Sequence, residues 1–71
     1  MQRFGEKLRL LRERQQMSVR TLARTLGYTT HSYVSEIEAG KKLPSRHFIT
    51  AVAQLFNISY DQLLDDTRDL E

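Results

Sequence analysis

The chain has 71 residues, enough for one domain and no more. A chain this short buries only about 60% of its unfolded surface, so compact helix packing must hold it together, with a partner subunit as one further source of stability. It has no cysteine, which excludes disulfide staples and thiolate zinc sites, and no apolar run near the roughly 18 residues of a membrane span. The net charge of +2 is unevenly spread: residues 1–30 set seven basic side chains against Glu6 and Glu13, whereas residues 31–71 set Lys41, Lys42, Arg46 and Arg68 against seven acids. A basic half of this kind suits a polyanion, or is simply a set of solvated helix faces.

Hydrophobic periodicity predicts five helices and no strands. The first runs from about Arg3 to Gln15, with Phe4, Leu8 and Leu11 on one face and Leu10 off it. The second starts after Ser18, a good N-cap, and carries Val19, Leu22, Ala23 and Leu26 at helical spacing. Gly27 stands where a helix end wants positive φ. A short polar turn, Gly27-Tyr28-Thr29-Thr30, leads to a third helix that begins near Thr30, points Val34 and Ile37 inward and stops at Gly40. Lys41-Lys42-Leu43-Pro44 reads as a loop. Ser45 caps a fourth helix reaching Phe56, whose apolar face holds Phe48, Ile49, Val52, Ala53, Leu55 and Phe56, with Asn57 as a left-handed end. Ser59 and Gln62 have capping-box spacing and open a short fifth helix carrying Leu63 and Leu64. The domain is expected to span 1–64, and the acidic tail 65–71 to fray.

Two short helices joined by a tight turn and flanked by core-forming helices make a platform that presents the second of the pair to a major groove. With Val34 and Ile37 turned inward, His31, Ser32, Ser35 and Glu36 face outward. All are polar groups able to hydrogen-bond base edges. A face meant only for solvation more often carries long Lys and Glu at i, i+4 spacing.

The runs Met17–Gly27 and Ser32–Ser45, the latter with Ile37-Glu38-x-Gly40-Lys41-Lys42-x-Pro44-Ser45, resemble the phage-repressor/Cro (XRE) helix-turn-helix family. The ending Leu55–Leu64 is similar to that family's fifth helix, so the likeness covers about residues 4 to 64. It implies an all-α, compact five-helix bundle of the lambda-repressor-like kind, and sequence-specific binding of double-stranded DNA by a transcriptional regulator of repressor type. It implies that Thr30 caps the recognition helix, that His31, Ser32 and Glu36 read bases, and that Tyr33 and Ser35 lie at the edge of the contact. Lys41 and Lys42 match a phosphate-contacting loop. Ser18, Val19, Thr29 and Thr30 would meet the backbone around the start of the second helix and the turn, where amide N–H groups and the helix dipole favour an anion. Arg12 and Glu38 match a buried ion pair between the first and third helices. The sequence departs from the family in three places. Val19 replaces a common Gln, the turn is one residue longer, and Glu36 stands where a neutral or basic group is usual. A carboxylate there can accept from cytosine N4 or repel phosphate.

Tyr60, Leu63, Leu64 and Leu70 either close the core or form an apolar patch that pairs two subunits on a palindromic operator about 34 Å between half-sites. Plainer readings stand beside these. His31 and His47 lie on different helices and do not suggest a metal site, and no metal or other cofactor is expected. A triad needs a pocket that a bundle this small rarely encloses, so no enzymatic activity is expected. The competing function is a protein-interaction module on the same fold, or an antitoxin that also regulates its own synthesis. Whichever holds, a cytoplasmic, nucleoid-associated protein is expected.

Overall fold

The computed structural model describes residues 2–70. It contains α1 (Phe4–Arg14), α2 (Val19–Thr25), α3 (Ser32–Glu38), α4 (Arg46–Phe56) and α5 (Tyr60–Leu64). Local chemistry sets where they start. The Ser18 hydroxyl accepts from the Thr21 N–H at 3.0 Å and the Ser45 hydroxyl from the Phe48 N–H at 3.1 Å, each satisfying one of the amides a helix start leaves unpaired. Ser59 and Gln62 form the predicted capping box.

Four of the helices also end alike. After α1, α2, α3 and α4 the chain enters the left-handed region at Gln16, Gly27, Gly40 and Asn57. The N–H of the next residue then returns to a carbonyl five residues back: Met17 to Arg12, Tyr28 to Ala23, Lys41 to Glu36 and Ile58 to Ala53. This is the Schellman closure. Glycine takes that conformation without a Cβ clash, which explains Gly27 and Gly40. Gln16 takes it at a cost, because its Cβ crowds the following carbonyl.

The core gathers Phe4, Leu8, Leu11, Leu22, Ala23, Val34, Ile37, Phe48, Ile49, Val52 and Leu63. α1 packs on α3 and α5, α2 on α3, and α4 on α5. Phe48 is the hub. Its ring lies edge-on to Phe4 (6.2 Å between centroids) and Tyr33 (5.1 Å) and tilted to Tyr28 (5.7 Å). Such pairs add about 0.5–1.5 kcal/mol each beyond the area they bury. Gly5 lets α1 approach α3 closely: a Cβ there would sit nearly on the Ile37 carbonyl oxygen and 3.0 Å from that of Glu38.

Several expectations are corrected. Leu63 is fully buried, so it closes the core and is not on an outer patch, while Leu55 is exposed because it falls off the inner face of α4. Leu10 is exposed, as its position off the apolar stripe implies. The tail does not fray over residues 65–70. The Asp66 carboxylate accepts from the Gln2 N–H (2.8 Å) and the Arg3 N–H (2.9 Å), Arg3 donates to Asp69, and Gln62 donates to the Leu70 carbonyl. Leu70 packs against the core. The acidic tail is held because it answers the amides and the guanidinium at the start of α1.

Candidate nucleic-acid interface

α3 is anchored from beneath and presented from above. Val34 and Ile37 are buried in the core, so the helix cannot rotate without exposing them. The opposite face carries His31, Ser32 and Glu36 exposed and Ser35 half-exposed. These are the side chains that periodicity had turned outward, brought together on one surface.

The Arg12–Glu38 pair is made as expected. Arg12 Nε and Nη2 donate to the two Glu38 carboxylate oxygens at 2.8 and 3.1 Å. Arg12 Nη1 donates to the Met17 carbonyl at 2.8 Å. The side chains are only 13% and 8% exposed, so the bonds form largely out of water. The Glu38 hydrogen bonds and charge raise the already high pKa of the guanidinium, which stays charged. The pair ties α1 to the last turn of α3 and, through Met17, to the entry of α2.

One assignment changes. Thr30 does not cap α3: the N-cap is His31, with helical backbone angles and no side-chain cap bond. The turn runs one residue further than expected, so the helix starts later and Thr30 lies one residue before the capping position. Tyr33, half-buried, acts as a strut. Its ring stacks on Tyr28 at 5.1 Å, and its hydroxyl accepts from the Ser45 N–H at 3.0 Å. It thereby fixes the loop between α3 and α4. Lys42 Nζ lies 5.4 Å over the same ring and 4.0 Å from the Glu36 carboxylate. The Tyr33 ring and Glu36 thus aim one ammonium along the edge of α3.

Of the basic side chains in the first half, several are spent internally. Lys7, Arg12 and Arg3 bind carbonyls or carboxylates within the fold. Arg20, Arg24, Lys41 and Arg46 are exposed and make no ion pair among the described residues. Arg20 and Arg24 lie one turn apart on α2, so they share its outer face. Ser18, Thr29 and Thr30 are exposed around the same helix and the turn, whereas Val19 is half-buried and packs on the core, leaving only its main chain for a ligand.

Tyr28 and Lys7 are the residues that sequence reasoning missed. Tyr28 anchors the turn by stacking, and burial raises its hydroxyl pKa, with the neighbouring Tyr33 adding to the effect. Lys7 carried a signal: Phe4, Lys7, Leu8 and Leu11 follow the i, i+3, i+4, i+7 spacing of a single face.

On the side formed by α4 and α5, Arg46, Ile49, Thr50, Tyr60 and Leu64 line an open groove of about 420 Å³. The Thr50 and Tyr60 hydroxyls share a 2.8 Å hydrogen bond along it. Among the described residues, no three His, Cys, Asp or Glu side chains gather as a metal ion would require, and no helix is long and apolar enough to cross a membrane.

Comparison with known proteins agrees with this geometry. The family model for the helix-turn-helix domain matches residues 3–66. The fold is similar to the N-terminal DNA-binding domain of SinR from Bacillus subtilis, with a TM-score of 0.83 and 27% identity over 97% of this chain and 100% of that one. It is also similar to the restriction-modification controller protein C.AhdI from Aeromonas hydrophila, with a TM-score of 0.76 and 33% identity over 89% of this chain and 94% of that one. A comparison with curated proteins finds no match. The family and fold are those of DNA-binding regulators and not of enzymes. The chain belongs to the helix-turn-helix domain family and is a DNA-binding transcription regulator.

Proposed function

We propose that the chain represses transcription by seating α3 in the major groove of an inverted-repeat operator, as a homodimer in the cytoplasm at the nucleoid. The observation that carries this reading is the two-sided character of α3. Its inner face is locked by Val34 and Ile37, and its outer face is small, polar and bordered by Lys41 and Lys42. His31, Ser32 and Glu36 read base edges, with Ser35 beside them. Lys41, Lys42, Arg20 and Arg24 neutralise phosphates. Ser18, Thr29, Thr30 and the Val19 main chain lie against the sugar-phosphate backbone next to them.

The second copy pairs through the α4–α5 groove. Tyr60 and Leu64 contribute to this face, while Leu63 does not, being inside. A protomer with a longest dimension of 31 Å is of the right size to place two reading helices about one DNA turn, roughly 34 Å, apart.

The test is selection of duplexes from a randomised pool, followed by titration at two salt concentrations. An enriched inverted repeat is expected. His31→Ala, Ser32→Ala and Glu36→Ala should relax specificity at defined positions. Lys41→Ala should weaken all sequences alike and flatten the salt dependence by about one unit of slope. Binding that stays weak at low salt with nothing enriched would refute this reading and point to a protein partner for α3.

A further inference from the structure

Lys7 is fully buried, and the DNA-facing surface makes no use of it. Its stem runs through the core and its ammonium donates to the main-chain carbonyls of Gln62 (2.5 Å) and Asp65 (2.8 Å). These belong to the last turn and cap of α5, where a helix leaves carbonyls unpaired and favours a cation. Arg3 reinforces the same end by donating to the carbonyls of Asp66 and Arg68. Five residues along α1, Arg12 grips Glu38 of α3. The two grips are separated by about 7.5 Å of helix rise. One short helix therefore holds the reading helix at one point and α5 at another. Each grip is a charge-assisted hydrogen bond, which is directional, whereas apolar contact is not.

We infer that Lys7 is a positioning residue that sets the angle between α3 and the α4–α5 groove, and through it the half-site spacing that the DNA-bound pair accepts. The inference rests on the dimeric reading above. Across a molecule measuring 31 × 23 × 19 Å, small rotations are amplified. A tilt of about 10° acting over the 23 Å dimension moves α3 by about 4 Å, close to the base-pair rise of about 3.4 Å. A pair whose α5 is loosely held would thus tolerate spacers that the intact pair rejects.

The experiment measures binding to a single half-site and to inverted repeats at the best spacer length, one base pair shorter and one longer. The intact protein should prefer the best spacer by about tenfold, within the usual range of coupling between linked sites. Lys7→Met keeps the stem and removes the ammonium. It should retain half-site affinity within about twofold and lose most of the spacer preference. Arg3→Gln, a change at a partly exposed side chain, should do the same more mildly and carries the test if Lys7→Met does not fold. A residue with a merely structural role would lower the melting temperature and weaken half-sites and full sites in proportion. An unchanged spacer profile in a folded variant would overturn the inference. If the intact protein gains nothing from a second half-site, the dimeric reading falls and this inference with it.

Discussion

Replacing Gly5 by alanine should destabilise the protein even though alanine is the better helix former. Gly5 is buried on α1 against α3, and both nearest obstacles to a Cβ are main-chain carbonyls, those of Ile37 and Glu38. Neither is the end of a flexible side chain, so the helices themselves must separate. Overpacking of this kind costs about 1–3 kcal/mol, and the backbone obstacles put Gly5 at the upper end. Helix propensity returns about 1 kcal/mol, leaving a net loss of about 1–2 kcal/mol. For a domain of this size each kcal/mol shifts the melting temperature by roughly 4–8 °C, so a fall of about 5–15 °C is expected. Thermal and urea unfolding followed by circular dichroism would measure it, with Arg9→Ala on the exposed side of the same helix as control. Operator affinity should fall as well, because α3 is displaced where Arg12 grips Glu38. A Gly5→Ala protein that melts at or above the temperature of the unmodified one would show that helix propensity outweighs the close approach, and the reasoning would fail.

Three further outcomes are expected. Arg12→Met should cost about 3 kcal/mol by stranding Glu38, while the double change with Glu38→Leu should cost less than either single one; a double-mutant cycle in urea decides this. Gln16→Gly should raise stability by about 0.5–1 kcal/mol, because it relieves a left-handed residue at the end of α1, and the melting temperature reports it. The main-chain N–H groups of Arg3 and Gln2 hold the Asp66 carboxylate below its ordinary pKa. Its stabilising effect is therefore complete above the unfolded value of about 4 and fades as pH falls through the lower folded value. The gap in melting temperature between the unmodified protein and Asp66→Asn should be constant from pH 7 to about 5 and close at lower pH.

Most of what sequence made legible was local. The hydroxyl caps at Ser18, Ser45 and Ser59 and the left-handed ends at Gly27, Gly40 and Asn57 follow from chemistry confined to a few consecutive residues. The outward set on α3 follows from the inward placement of Val34 and Ile37 at helical spacing. What escaped depends on contacts far apart in the chain. Lys7 lies in the apolar stripe of α1, but only the end of α5, more than fifty residues away, explains how a cation can be buried there. The tail looks like a frayed acidic end until the start of α1 supplies donors for it. The strut made by Tyr33 is hidden too, because Tyr28, Phe48 and Ser45, which hold its ring and hydroxyl, come from the turn and the fourth helix. Gln16 escaped because a long polar side chain gives no hint of positive φ, and the Schellman hydrogen bonds impose it.

The stacking of Tyr28 on Tyr33 and its contact with Phe48 has a thermodynamic consequence for operator binding. The turn before α3 is already fastened to the core, so α3, if it is the helix that reads the operator as proposed, does not have to order itself on arrival at DNA. Little conformational entropy is then lost on association. The heat-capacity change should reflect only the surface buried at the interface, without the larger negative contribution that accompanies folding on contact. Encounter and recognition become a single docking event, and sequences compete for a surface whose shape is settled before any of them is met.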